Sequence, residues 1–109
     1  MELLKLKASD KENSDKYIIK KEDITIGEGY IFNREDNQIF VYIKPEFRSN
    51  GYGSVLFEKL LNIVKKGDIK ILKFKIESQN VCGINIICKF GAVLLSASKD
   101  YTHYVLKVN

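Results

Sequence analysis

Hydrophobic and polar positions change period several times along the chain, and each change predicts an element. The opening run "ELLKLKA" reads as a short strand, and the polar, turn-rich "ASDKENSD" (Ala8 to Asp15) reads as a loop. Two apolar runs follow, Tyr17 to Ile19 and Ile24 to Phe32, with the polar turn Lys20 to Asp23 between them. That pattern predicts a hairpin. "REDN" (Arg34 to Asn37) predicts a second tight turn. In "QIFVYIK" (Gln38 to Lys44) the alternate sets Ile39, Val41, Ile43 and Phe40, Tyr42 are both apolar, which predicts a central strand covered on both sides. Pro45, the single proline, stops it.

From Ser54 the period lengthens. Leu56, Leu60, Ile63 and Val64 recur at helical spacing, widened by Phe57 and Leu61. "KKGD" (Lys65 to Asp68) ends this helix with cations in its last turn and a glycine at the stop position. "IKILKFKIE" then alternates Leu72, Phe74 and Ile76 against Lys73, Lys75 and Glu77, a strand with one wet face. Asn80 is placed to cap a second helix that Gly91 terminates. "AVLLSA" and "THYVLKV" close the chain as a hairpin around "SKDY". The order β, ββ, β, α, β, α, ββ contains a strand–helix–strand crossover, which calls for a parallel pair, while the flanking hairpins are antiparallel. The expected fold is α/β (α+β): a mixed, mostly antiparallel sheet of about six or seven strands splayed at that parallel pair, with main helices near 52–66 and 81–90.

The 109 residues suit one domain, 1–109, with one core. Hydrophobic and charged fractions of 45% and 29% are those of an ordinary soluble protein. No apolar run approaches the ~20 residues of a membrane span, and the N-terminus lacks a signal-peptide pattern, so a cytoplasmic protein is expected. The net charge of +4 and pI near 9.0 come from scattered lysines, with Arg34 and Arg48 the only arginines. Neither a clustered basic face nor a stacking platform is visible, so no nucleic-acid partner is expected. A polyanionic small ligand suits such a surface equally well. Cys82 and Cys88, six apart, fall on different helix faces and read as small apolar fillers rather than a disulfide. With His103 the only histidine and no CxxC pair, no metal site is expected.

The candidate chemistry lies in "FRSNGYGSVLFEKLL" (Phe47 to Leu61), where a strand end, a loop with two glycines and a helix start adjoin. A helix N-terminus presents free N–H groups and a favourable dipole to an anion. Gly51 and Gly53 would let the backbone approach a phosphate, and Arg48 could fork two of its oxygens. The same residues also read as a plain glycine turn beside a solvated arginine. Neither the GxGxxG fingerprint nor the Walker loop fits, because position 56 is Leu56 and GxxxxGK[ST] is absent.

The wider segment "VYIKPEFRSNGYGSVLFEKLL" resembles the acetyl-CoA-binding motif of the GNAT N-acetyltransferases, V-x-P-x-x-R-x-x-G-x-G/A, through Ile43, Pro45, Arg48, Gly51 and Gly53. "NVCGINIICKFGA" is similar to a second family segment, N-x-x-A-x-x-x-Y-x-K-x-G-F, through Asn80, Lys89 and Gly91, with Gly83 at a small-residue position. The resemblance runs from about Tyr17 to the C-terminus and implies acetyl-CoA bound in the splayed gap of the sheet. It implies pyrophosphate on the backbone of Ser49, Asn50, Gly51, Tyr52, Gly53 and Ser54, beside Arg48. The pantetheine arm would run along Val41, Tyr42 and Ile43, with Asn80 bonded to it. An amine would attack the thioester directly within a ternary complex.

Two departures qualify what the resemblance implies. The family's frequent general-acid tyrosine would fall at position 87, where this chain has Ile87, which with Ile84 is expected to pack the helix on the sheet. Tyr101, Tyr104 or Cys88 are conceivable substitutes, and His103 reads as structural. Glu77 and Tyr42 are the candidate bases, against readings as a solvated charge and a packed tyrosine. The region between the first two strands is also too short for the family's N-terminal helices. The acceptor site is then expected to be open, or completed by a second copy in a homodimer or by a partner. An acyl-CoA-binding module without transfer is the alternative reading, and the acceptor amine is not named by the sequence.

Overall fold

The computed structural model describes residues 2–5, 14–33 and 38–108. The expected turn at 34–37 and all but the last two residues of the expected loop at 8–15 lie outside them. The strands are β1 (Glu2–Lys5), β2 (Ser14–Lys21), β3 (Ile24–Phe32), β4 (Ile39–Ile43), β5 (Ile71–Glu77), β6 (Val93–Ala97) and β7 (Tyr101–Lys107). The helices are α1 (Tyr52–Lys65) and α2 (Val81–Lys89), within a residue of the expected ends, and Pro45–Phe47 forms one 3-10 turn.

The strands make two antiparallel sheets, ordered β1-β2-β3-β4 and β5-β7-β6. Every described ladder is antiparallel, so the parallel pair expected between β4 and β5 does not form; the two strands stand apart at the expected splay, and α1 and α2 hold the halves together. One face of α1 carries Leu56, Phe57, Leu60, Leu61 and Val64 into the core, where they meet Ile19, Ile26, Leu72 and Phe74. Phe57 is the junction, its ring 6.1 Å from that of Phe74 on β5 and 5.3 Å from that of Phe90 at the end of α2. β5 alternates as expected, with Leu72 and Phe74 buried and Lys73, Lys75 and Glu77 outside. Gly91 ends α2 in the left-handed region at φ 103°, as its position predicted. No described helix is long and apolar enough to cross a membrane.

Four further expectations need correction. The β2–β3 turn is two residues, not four. Glu22 and Asp23 both take positive φ (52° and 65°), the backbone whose twist matches the flanking strands, so pairing continues through Lys20↔Thr25 and Lys21↔Ile24. Ser14 and Asp15, read as loop, are strand residues paired with Phe32 and Ile31. β4 is not covered on both sides. Ile39 is buried, but Phe40 and Tyr42 are 49% and 40% exposed, because α1 lies against the other face and β4 is the last strand of its sheet. Cys82 and Cys88 are also exposed rather than core fillers, since α2 buries only Ile87 fully.

Candidate active site

The end of β4 sets the geometry. Lys44 N–H donates to Ile26 O (2.9 Å) and Phe32 N–H donates to Gln38 O (2.7 Å). In an antiparallel ladder bonded and non-bonded pairs alternate, so Gln38, Phe40, Tyr42 and Lys44 turn their backbone groups toward β3. Val41 and Ile43 therefore turn theirs outward, into the gap. Arg48 reports this directly, because its Nε donates to Ile43 O at 3.0 Å. The outer edge of β4 thus offers N–H and C=O groups to an extended ligand, which could pair with it as an added strand.

Beyond Ile43 the chain makes the 3-10 turn and then two left-handed residues, Ser49 (φ 68°) and Gly51 (φ 79°). Asn50 pins this loop, its Nδ2 donating to Phe47 O (3.2 Å) and Arg48 O (3.1 Å). Gly51 is the N-cap of α1, and no side chain caps that end. The first intrahelical bond is Val55 N–H to Gly51 O (3.3 Å), so the N–H groups of Tyr52, Gly53 and Ser54 have no partner within the helix. A Cβ placed on Gly51 would meet nothing within 4 Å, so glycine is needed for its φ and the space above it is open. Backbone donors, a helix dipole and open space suit a phosphate group. The Arg48 guanidinium lies 5.5 Å from the centre of the Tyr42 ring, folded over the strand end at the rim of this space.

The two glycines differ in role. A Cβ on Gly53 would lie 3.1 Å from Ile86 Cδ1 and 3.9 Å from Ile43 Cγ1, so the missing side chain at 53 is what lets α2 approach α1 beside β4. Asn80 caps α2, its Oδ1 accepting from Gly83 N–H at 3.0 Å. A Cβ on Gly83 would meet the Asn80 amide at 2.7 Å, which explains the small residue there. The cap uses the oxygen of Asn80 and directs no bond from its Nδ2.

Of the other candidates, Ile87 is 3% exposed and packs in the core with Ile84 against it, as expected. Tyr104 is buried in the same core. Tyr101 is exposed with Lys75 Nζ 4.4 Å from its ring centre, and His103 is exposed opposite Lys75. Glu77, on the wet face of β5, pairs across the ladder with Tyr101 and joins Gln79, Lys99, Asp100 and Tyr101 around an open cleft of about 280 Å³. No residue of 41–54 lines that cleft. The structure therefore brings Val41 to Ser54 into one surface, with Tyr42 and Arg48 stacked on each other, while Glu77, at the end of β5, lines a cleft to which none of those residues contributes. Sequence reasoning missed the Arg48–Tyr42 stack and the Gly53–Ile86 contact, the latter set by tertiary packing, and it did not connect the small residue at Gly83 with the local Asn80 cap.

The profile of the acetyltransferase (GNAT) family matches residues 4–91. The chain belongs to the GNAT acetyltransferase family. No curated protein matches it closely enough to stand as a relative. Among solved structures, one similar fold is a putative acetyltransferase from Salmonella typhimurium, solved with its cofactor acetyl-CoA. It is 17% identical with a TM-score of 0.73 over 88% of this chain, which spans 65% of that protein, just under two thirds. A Bacillus subtilis acetyltransferase in complex with CoA is 11% identical, with a TM-score of 0.76 over 89% of this chain and 78% of its own. A ribosomal-protein-alanine N-acetyltransferase from Brucella melitensis is 16% identical, with a TM-score of 0.71 over 86% and 68%. At these identities the likeness to this GNAT chain is one of fold.

Proposed function

We propose that this GNAT protein transfers an acetyl group from acetyl-CoA to a primary amine on a small molecule or a peptide. The observation that carries the reading is the β4–α1 junction: outward backbone groups at Val41 and Ile43 lead into a loop whose left-handed Gly51 opens the N-terminus of α1. In this reading the pyrophosphate rests on the backbone of residues 49–54, with Arg48 swinging from Tyr42 onto it. The pantetheine arm pairs along Val41–Ile43, and the Nδ2 of Asn80 is its further donor. The neutral amine attacks the thioester carbon, the carbonyl oxygen takes charge beside the Ile43 N–H, and the C–S bond breaks to release CoA thiolate. The proton lost by the amine passes to a base, for which Tyr42 beside the loop and Glu77 at the end of β5 are the candidates.

Binding is tested by melting the protein with and without acetyl-CoA. At about 100 times its Kd the ligand adds about 2.7 kcal/mol, enough to raise Tm by more than about 10 °C in a domain of this size. Thiol release in the presence of amines tests transfer. An unchanged Tm would overturn the reading. A second reading, an acyl-CoA-binding module that acts through a partner, is favoured by one observation: Ile87 is buried and offers no proton to a leaving thiolate. A full Tm shift without thiol release across small amines and peptide N-termini would select it.

A further inference from the structure

α1 packs on one face of the four-stranded sheet, over Gly29, where a Cβ would strike Leu60. The ladder register assigns the opposite face to Leu4, Ile18, Tyr30, Phe32, Phe40 and Tyr42. None of these is buried. Their rings adjoin, Tyr30 lying 5.7 Å from Phe32 and 5.9 Å from Phe40. Lys16 and Glu28 share this face, but its aromatic and aliphatic side chains still call for cover. Between β1 and β2, residues 6–13 read "LKASDKEN", with only Leu6 and Ala8 apolar. At strand and residue spacings of about 4.8 and 3.4 Å, the four strands, of which β1 and β4 are short, span about 400 Å² in plan. That is the size of patch that marks an interface on a small protein.

We propose that a second copy of this chain covers this face, the two four-stranded sheets stacking about 10 Å apart across a two-fold axis. Two copies bury about 800 Å² in plan, and side-chain relief brings this to the roughly 1,000 Å² that a specific interface must clear. The charges on the face favour a protein partner over a polyanion. Lys16 is paired with Glu28 at 3.1 Å and its ammonium sits 5.7 Å from the Tyr30 ring centre, so the face mixes signs rather than presenting a basic track. The rival dimer surface is β6, where Val93, Leu94 and Leu95 are 62%, 52% and 62% exposed. That edge is five residues long and interrupted by a register shift between Leu94 and Ser96, two features that blunt edge pairing. Because Tyr42 lies on the covered face, the partner would also wall the acceptor side of the gap, a consequence that rests on the transferase reading above.

Sedimentation of the full chain from low to high micromolar concentration tests this, for the wild type, Phe40→Glu and Leu95→Glu. Expected are a dimeric wild type, a monomeric Phe40→Glu that keeps its acetyl-CoA Tm shift, and a Leu95→Glu that remains dimeric. A wild type monomeric throughout overturns the proposal, as does a dimer broken by Leu95→Glu and not by Phe40→Glu. So does binding of a single-stranded RNA oligomer that Phe40→Glu abolishes, which would give the face to nucleic acid. Should Phe40→Glu fail to fold, hydrogen exchange of the wild type decides: faster exchange on dilution in β3 and β4 supports the proposal, and faster exchange in β6 alone overturns it. A dimer without any acetyl-CoA shift would sink the transferase reading and leave this interface standing.

Discussion

At the scale of single residues, the loop after β4 separates backbone need from ligand space. Gly51 is left-handed with nothing near its absent side chain. Alanine there costs about 1 to 2 kcal/mol of backbone strain, read as a lower denaturation midpoint. Glutamate adds a charge in the open space where the phosphate is proposed to sit, so Gly51→Glu is expected to lose the acetyl-CoA Tm shift and Gly51→Ala to keep most of it. Equal shifts in both would move the phosphate elsewhere. Asn80 admits a similar separation. Aspartate caps a helix about as well as asparagine, whereas alanine costs about 1 kcal/mol. Asn80→Asp is therefore expected to hold Tm while weakening acetyl-CoA binding, because only the Nδ2 donor is lost and a like charge is added. If Asn80→Asp binds as tightly as wild type, Asn80 serves the helix alone.

At the scale of elements, β4 and α2 show what a one-dimensional pattern can carry. The hydrophobic stripe of α1, the wet face of β5 and both helix ends are legible, because period and capping residues are local properties. The coverage of β4 is not: Phe40 and Tyr42 look like core until it is known that α1 packs on the other face. The β2–β3 turn was misjudged for a local reason, since charged Lys20 and Lys21 read as turn although the two left-handed residues lie after them. In the candidate site, the Arg48–Gly51 loop was legible as a motif. The division of labour between Gly51 and Gly53 was not, because it depends on Ile86 of a distant helix. α2 also limits engineering. Ile87 is buried in the core, so Ile87→Tyr overpacks it and is expected to cost about 1 to 3 kcal/mol without raising the transfer rate. A faster, fully stable Ile87→Tyr would show instead that position 87 reaches the gap.

At the scale of the whole molecule, two sheets with no shared ladder must be joined by something other than backbone bonds. Phe57 is the main link, since it leaves α1, which rests on β3 and β4, and touches Phe74 of β5 and Phe90 beyond α2. Truncating a buried phenylalanine costs about 3 to 5 kcal/mol, a large share of the roughly 5 to 15 kcal/mol that holds a domain together. Phe57→Ala should therefore melt far below wild type. The loss should be felt first in the sheet that Phe57 reaches across to, so hydrogen exchange in β5, β6 and β7 should quicken more than in β2 and β3. A ligand that pairs with β4 on one side of the gap and with Asn80, which follows β5, on the other bridges the same two halves. Acetyl-CoA is then expected to return to Phe57→Ala at least the Tm increment it gives the wild type and to slow exchange in both sheets. Protection confined to β4 and α1 would mean that the ligand leaves the second sheet untouched, and that the gap between β4 and β5 is a boundary it does not span.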